Sequence, residues 1–234
     1  MNQRERLLLL PGLLCDPILW THQSEHLADL ADITIADLTS QESMADMAAE
    51  AIAAMPDGPF ALAGLSMGGY VAQEVMQQAG DRVTRLALLD TSSRPDSEEQ
   101  TRRRKGLISL AKTGKFKGVT PKLLPLLIHP DRMEDDALTG AIMEMSGNVG
   151  RDAFLRQQIA ILNRPDSRPD LAKIPCPTLI LCGRQDALTT LEMHEEMAAG
   201  VTGSKLVVVE DSGHMSTMEQ PHAVTAVMRY WLQS

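Results

Sequence analysis

Residues 60–70, reading FALAGLSMGGY, leave the backbone few choices. Phe60 to Leu65 is a short apolar run of the kind found in parallel strands covered on both faces, and Tyr70 to Gln78 has helical spacing that stops at Gly80. With so little chain between them, strand must reverse into helix at Ser66. Gly64-Leu65-Ser66-Met67-Gly68 is G-x-S-x-G, whose small residues allow that reversal while the central residue sits in strained backbone with its hydroxyl exposed. Glycines around a serine also build ordinary tight turns, so the role of Ser66 depends on what the rest of the chain brings to it.

A strand apolar on both sides needs helices on both faces, hence a repeating β-α order. Arg6–Leu10, Ile33–Ala36, Phe60–Leu65 and Val83–Leu89 are predicted strands, separated by helical spacing at Ile18–Leu30, Ser43–Met55 and Tyr70–Gln78, with Ser43 as an N-cap. The rhythm breaks after Asp90. Thr91 to Asp170 holds no convincing strand, only helical pieces at Asp96–Lys112, Pro121–Leu127, Glu134–Ser146 and Asp152–Leu162 between prolines and glycines. Pro175-Cys176-Pro177 marks the return, and Thr178–Cys182, Thr190–Ala199, Lys205–Glu210 and Pro221–Trp231 complete two more strand-helix units. The expectation is an α/β fold with a mostly parallel, doubly wound sheet and right-handed crossovers. Residues 1–93 and 171–234 form its core, and 94–170 form a helical lid over the sheet edge where ligands bind in such folds.

At 234 residues the chain can bury a core without disulfides or metals. Its net charge of -9 argues against nucleic acid or an anionic membrane as a partner and favours a small molecule. Cys15, Cys176 and Cys182 are sparse, odd in number and without metal-ligand spacing, which suggests reduced thiols in a cytoplasmic protein. Arg4 and Arg6 before Leu7 to Leu14 and Cys15 imitate a secretion signal. Leu14 is too large for the cleavage position and Pro11-Gly12 interrupts the run, so a buried strand is the better reading. No stretch approaches the ~20 apolar residues of a membrane-spanning helix.

A serine becomes a strong nucleophile when a base takes its proton, usually a histidine held in one tautomer by a carboxylate. Of six histidines, His214 alone follows a predicted strand on a short loop, in Asp211-Ser212-Gly213-His214-Met215. Asp186, in Gly183-Arg184-Gln185-Asp186, directly follows the strand Thr178–Cys182. Asp90 also lies at a strand end and is the alternative acid. Gly12, just past the first strand, lets the backbone turn its N–H groups toward a shared cavity where an oxyanion can sit.

With LLLLPG at Leu7 to Gly12, GLSMGG at Gly64 to Gly69, GRQD at Gly183 to Asp186 and SGHMSTMEQP at Ser212 to Pro221, the chain resembles the α/β-hydrolase family along nearly its whole length. The likeness is to its short, lid-bearing esterase and lactonase branch. The resemblance implies the α/β-hydrolase fold with about six strands, Ser66 as nucleophile, His214 as base and then acid, Asp186 rather than Asp90 as orienter, and the Leu13 and Met67 amides as oxyanion hole. Pro11 stands where many members carry histidine.

The expected activity is cofactor-free hydrolysis of a small carboxylic ester or lactone, with Leu14, Met145, Leu188 and Met215 as candidate substrate contacts and no metal. The same triad also serves C–C bond hydrolases and menaquinone-pathway-type lyases, and the fold serves ligand receptors with little turnover. The expected partner is a small acyl substrate and the expected state a monomer or small homo-oligomer. His22-Gln23-Ser24-Glu25-His26 is H-x-x-E-H, but no third ligand is evident, so it reads as a routine helix. Arg102-Arg103-Arg104-Lys105 reads as a solvated helix face. Met133 and Met143, like Met145 and Met215, suit either an adaptable pocket or core filling.

Overall fold

The computed structural model describes residues 4–234. Six strands, β1 (Glu5–Leu10), β2 (Ala31–Ile35), β3 (Phe60–Leu65), β4 (Val83–Leu89), β5 (Thr178–Gly183) and β6 (Lys205–Val209), form one sheet in the order β2-β1-β3-β4-β5-β6. Every pairing is parallel. The helices are α1 (Thr21–His26), α2 (Met44–Ala53), α3 (Met67–Ala79), α4 (Glu98–Lys112), α5 (Asp136–Leu162), α6 (Leu191–Gly200), α7 (Ser216–Glu219) and α8 (Pro221–Gln233).

Alternate residues of each strand supply two cores. Leu7, Leu9, Ala63 and Leu65 pack on one face with Leu27, Val224, Met228 and Trp231, so α8 and the region of α1 cover that side. Leu8, Leu10, Leu62 and Leu88 face the other way, onto Met47 of α2, Val71 and Val75 of α3 and Met197 of α6. All of Leu7 to Leu10 are fully buried. At about 1.5–3 kcal/mol per buried leucine, that tetrad alone is comparable to the net stability of a domain, so β1 is integral to the core.

Between β4 and β5 the chain forms α4, two short 3-10 turns, α5 and a third 3-10 segment at Arg168–Lys173, and no strand. Some local expectations fail. Ile18–Leu30 is not one helix: a 3-10 turn at Pro17–Trp20, held by the Asp16 carboxylate accepting from Ile18 N–H, precedes the six-residue α1. The helix must stop by Leu27 because Ala31 already pairs with Glu5 in the sheet, which also moves β2 earlier than Ile33. Pro121–Leu127 shrinks to a 3-10 turn at Leu124–Leu126, with Pro125 inside it. Helix α3 begins at Met67, immediately after Ser66, and α7 was not foreseen. The α5 span contains Gly150 at φ 74°, ψ 179°, a break that divides it into two helical segments.

Candidate active site

Ser66 closes β3 and opens α3 at φ 55°, ψ −115°, a left-handed backbone that costs a non-glycine residue about 1–3 kcal/mol. Close packing enforces it. A Cβ on Gly64 would lie 2.2 Å from the Gly68 carbonyl oxygen, and one on Gly68 would lie 2.1 Å from the Leu10 oxygen. Only glycines let α3 start this near to β1 and β3. The Thr91 hydroxyl donates to the Ser66 carbonyl at 2.7 Å, and Ser66 N–H donates to Leu89 O at 3.0 Å, pinning the turn from both sides.

His214 lies on the loop after β6, and a buried carboxylate orders that loop. Glu219 Oε1 accepts from the N–H groups of Gly213 (2.9 Å) and Met215 (3.1 Å), which bracket the histidine, while its Oε2 accepts from His129 N–H at 2.6 Å. His214 N–H itself donates to Leu127 O at 2.9 Å. Asp186, after β5, accepts from Leu188 N–H (2.8 Å) and Thr189 N–H (2.9 Å) on Oδ1 and from the Thr189 hydroxyl (2.7 Å) on Oδ2. Those three donors fix the carboxylate plane.

The three sequence candidates converge. His214 Nε2 stands 2.9 Å from Ser66 Oγ, and Nδ1 stands 2.8 Å from Asp186 Oδ2. Burial disfavours the imidazolium, but the charge and hydrogen bond of Asp186, joined by Asp90 and Glu219, outweigh it and raise the His214 pKa above its ordinary value. Burial also opposes ionisation of Asp186, yet His214 and the Thr189 donors prevail and hold it below the usual carboxylate range. The arrangement suits one event: His214 accepts the Ser66 proton while Asp186 stabilises the cation that results.

Asp90 is brought near but not to the histidine. Its Oδ1 accepts from Gly183 N–H at 2.9 Å and its Oδ2 from Ser216 N–H at 3.2 Å and Oγ at 2.5 Å, so it ties β4 to β5 and α7. Full burial, reinforced by the neighbouring Asp186 charge, pushes its pKa to about 8. Asp90, Cys182 and Asp186 also present potential ligand atoms within 4.8 Å of one another. Both carboxylates are consumed by protein donors, and burial pushes the Cys182 thiol well up, so this cluster does not suit a metal.

Leu13 and Met67 flank Ser66 from two directions, and among the described residues neither amide has a protein acceptor. The loop carrying Leu13 is a turn closed by Cys15 N–H donating to Gly12 O at 3.1 Å, with Leu14 at φ 59°. A Cβ on Gly12 would touch the Ser66 Cβ at 3.4 Å, so the loop packs directly on the serine. Gln157 of α5, fully buried, holds it: Oε1 accepts from Leu14 N–H at 3.1 Å and Nε2 donates to Leu38 O at 3.0 Å. Nothing in the sequence pattern singled out Gln157 or Thr189; Glu219 had a local cue in its Glu-x-Pro setting.

Leu14, Met145, Leu188 and Met215 line one cavity of about 470 Å³ with Ser66 and His214. Met133 and Met143 are not on its wall. The rest of its surface is mostly apolar, with Phe116 and Phe154 in tilted contact at 5.0 Å, and Arg103, Lys115, Lys117 and Lys122 also border it. A second cavity of about 600 Å³ reaches the same serine and histidine but is walled by Tyr70, Arg94, Asp96, Arg103, Arg104 and Arg164. The basic cluster therefore divides: Arg104 pairs with the buried Asp96 at 2.7 Å, Arg102 pairs with Glu98 on the exposed face, and Arg103 borders both cavities.

Comparison with known proteins identifies the family. The model of the alpha/beta hydrolase family matches residues 7–227. A pimeloyl-[acyl-carrier protein] methyl ester esterase of Neisseria meningitidis is 30% identical over 195 residues, covering 80% of this chain and 62% of that protein. The 3-oxoadipate enol-lactonase 2 of Acinetobacter baylyi is 27% identical over 179 residues, again covering 62% of the relative and 71% of this chain. The chain thus spans under two thirds of the length of both. A thermophilic esterase from Thermogutta terrifontis superimposes with a TM-score of 0.89 at 29% identity, over 100% of this chain and 91% of that one.

Proposed function

The chain belongs to the alpha/beta hydrolase family, and from that premise we propose that it is a cofactor-free serine hydrolase of small carboxylic esters or lactones. The observation that carries the reading is the continuous path from Ser66 Oγ through His214 to Asp186, with contacts of 2.9 and 2.8 Å. In the proposed course Ser66 attacks the carbonyl carbon as its proton passes to His214 Nε2. The Leu13 and Met67 amides hold the oxyanion, and its collapse expels the alcohol, which takes the proton from His214. Water, deprotonated by His214, then hydrolyses the acyl-enzyme and restores Ser66.

The two cavities that meet at Ser66 indicate the substrate shape, one aliphatic arm and one polar arm. The relatives named for a methyl ester and an enol-lactone are consistent with carboxylic ester chemistry of this size. Segment 94–170 acts as a selectivity lid in this reading, because Leu107, Leu126, Ile142 and Met145 supply the apolar wall. The test is a chain-length panel of activated esters assayed with wild type and Ser66→Ala. Turnover of short to medium acyl esters that vanishes in the variant supports the proposal. Undiminished turnover in Ser66→Ala, or labelling of a different serine by a fluorophosphonate, overturns it.

A further inference from the structure

The H-x-x-E-H segment plays no part in the chemistry above, and the fold gives it a partner that lies far away in sequence. His22 and His26 stand one turn apart on α1 with rings stacked, centroids 4.0 Å apart and planes 10° apart. Helix α8 packs against α1, and its first turn brings His222 to the same spot: His22 Nε2 lies 3.2 Å from His222 Nδ1. We propose that His22, His26 and His222 form a surface site for a divalent transition-metal ion of the zinc type, which clips α1 to α8.

The spacing fits. Two imidazole nitrogens bound to one tetrahedral zinc at about 2.0–2.1 Å stand about 3.3 Å from each other, close to the separation already present. His22 is also oriented for the task. Its Nδ1 is 2.7 Å from the hydroxyl of the buried Thr225, which in addition accepts from Gln23 Nε2 at 3.2 Å. With Nδ1–H donating to that oxygen, Nε2 carries its lone pair outward, the outer-shell arrangement typical of a metal-bound histidine.

The third ligand is one helical turn away. His26 Nδ1 donates to the His22 carbonyl at 2.9 Å, so Nε2 is its available nitrogen, and for that atom to ligate, this exposed ring must turn off the stack and give up the bond. Exposure of His26 and His222 leaves a fourth position to water. Three imidazoles without carboxylate or carbonyl oxygen select zinc, nickel or copper over magnesium or calcium.

The experiment is a zinc chloride titration of chelator-stripped protein, followed by calorimetry and by the shift in Tm. Saturable binding of about one equivalent, with a dissociation constant on the order of 1–10 µM and a rise in Tm, is expected. His22→Ala and His222→Ala should each weaken it at least about tenfold, His26→Ala should weaken it as well, and His129→Ala should leave it unchanged. His26 and His222 are exposed and His22 and His129 half-buried, so the variants should fold, which the unfolding transition of each checks, and Ser66→Ala should bind zinc as wild type does, so the result is independent of catalysis. Absence of saturable binding up to roughly 1 mM would show the 3.2 Å contact to be a simple hydrogen bond and overturn the site. Undiminished affinity in His222→Ala would do so equally.

Discussion

Two non-glycine residues with left-handed backbone face each other across the proposed reaction centre, Ser66 on one side and Leu14 on the other. They are held in unlike ways. The serine turn is clamped by backbone packing, with Gly64 and Gly68 admitting neighbours that no side chain would tolerate. The Leu14 turn is closed by Cys15 N–H donating to Gly12 O, and its tie to the rest of the fold at the Leu14 amide is one side chain, Gln157 of the 94–170 segment. The proposed nucleophile is thus built into the sheet, whereas half of the proposed oxyanion hole is positioned by the element that also walls the apolar cavity. Sheet and inserted segment share the proposed catalytic geometry between them.

The largest effect is expected on the serine side. Ser66→Ala should lose on the order of 10⁴-fold or more in kcat with an unchanged unfolding transition, because triad members act as a unit. A loss of fold would mean that the elbow needs the serine itself rather than its glycines. Next comes the orienting acid. Asp186→Asn should cost on the order of 10³–10⁴ in kcat through the wrong imidazole tautomer, and Asp90→Asn, whose partners are Gly183 and Ser216, far less. The reverse ranking would transfer the role to Asp90.

The pH profile sharpens the same assignment. Activity needs neutral His214, whose pKa is raised above its ordinary value of 6.5, so kcat/KM should fall as pH drops through a midpoint above that value. Removing the Asp186 charge withdraws the main raising influence, and the acid limb measured in Asp186→Asn should move to lower pH.

Gln157→Leu probes the opposite side. It strands a buried N–H on Leu14 and a buried carbonyl on Leu38, at about 1–3 kcal/mol each, and frees the turn. The expected result is a loss on the order of 10-fold to 100-fold in kcat with little change in KM, less than for the triad. A change in KM alone would make Gln157 a wall of the cavity and nothing more. The smallest effect should be Met145→Ala, which enlarges the apolar cavity: the preferred acyl length should shift by about 1–3 kcal/mol of discrimination per methylene at most, with turnover retained. An unchanged chain-length profile would remove Met145 from the pocket.

The contrast between the two turns also explains what the sequence disclosed. Strands Phe60–Leu65 and Val83–Leu89 were legible to the residue because apolar runs buried on both faces end sharply at glycine, charge or serine. Ser66, Asp186 and His214 were legible because each sits at a strand end inside a short motif. Gln157 was not, since its bonds join residues 143 and 119 positions away and leave no local pattern. Ile18–Leu30 misled for a related reason: its apolar spacing satisfies a helix, while the register of Ala31 in the sheet, fixed by pairing with β1, forbids one of that length.

The break at Gly150 loosens the coupling between the two halves of α5. With φ at 74° and nothing within 4 Å of where a Cβ would stand, the position is held to glycine by backbone angle alone. Ahead of it α5 contributes Ile142 and Met145 to the apolar cavity; beyond it the span carries Gln157 to the Leu14 turn and Phe154 to the same cavity. A rigid helix would transmit every substitution in the cavity to the turn. A joint between the two segments lets substitutions at Ile142 and Met145 reshape the apolar wall with less displacement of Gln157 and of the turn it holds.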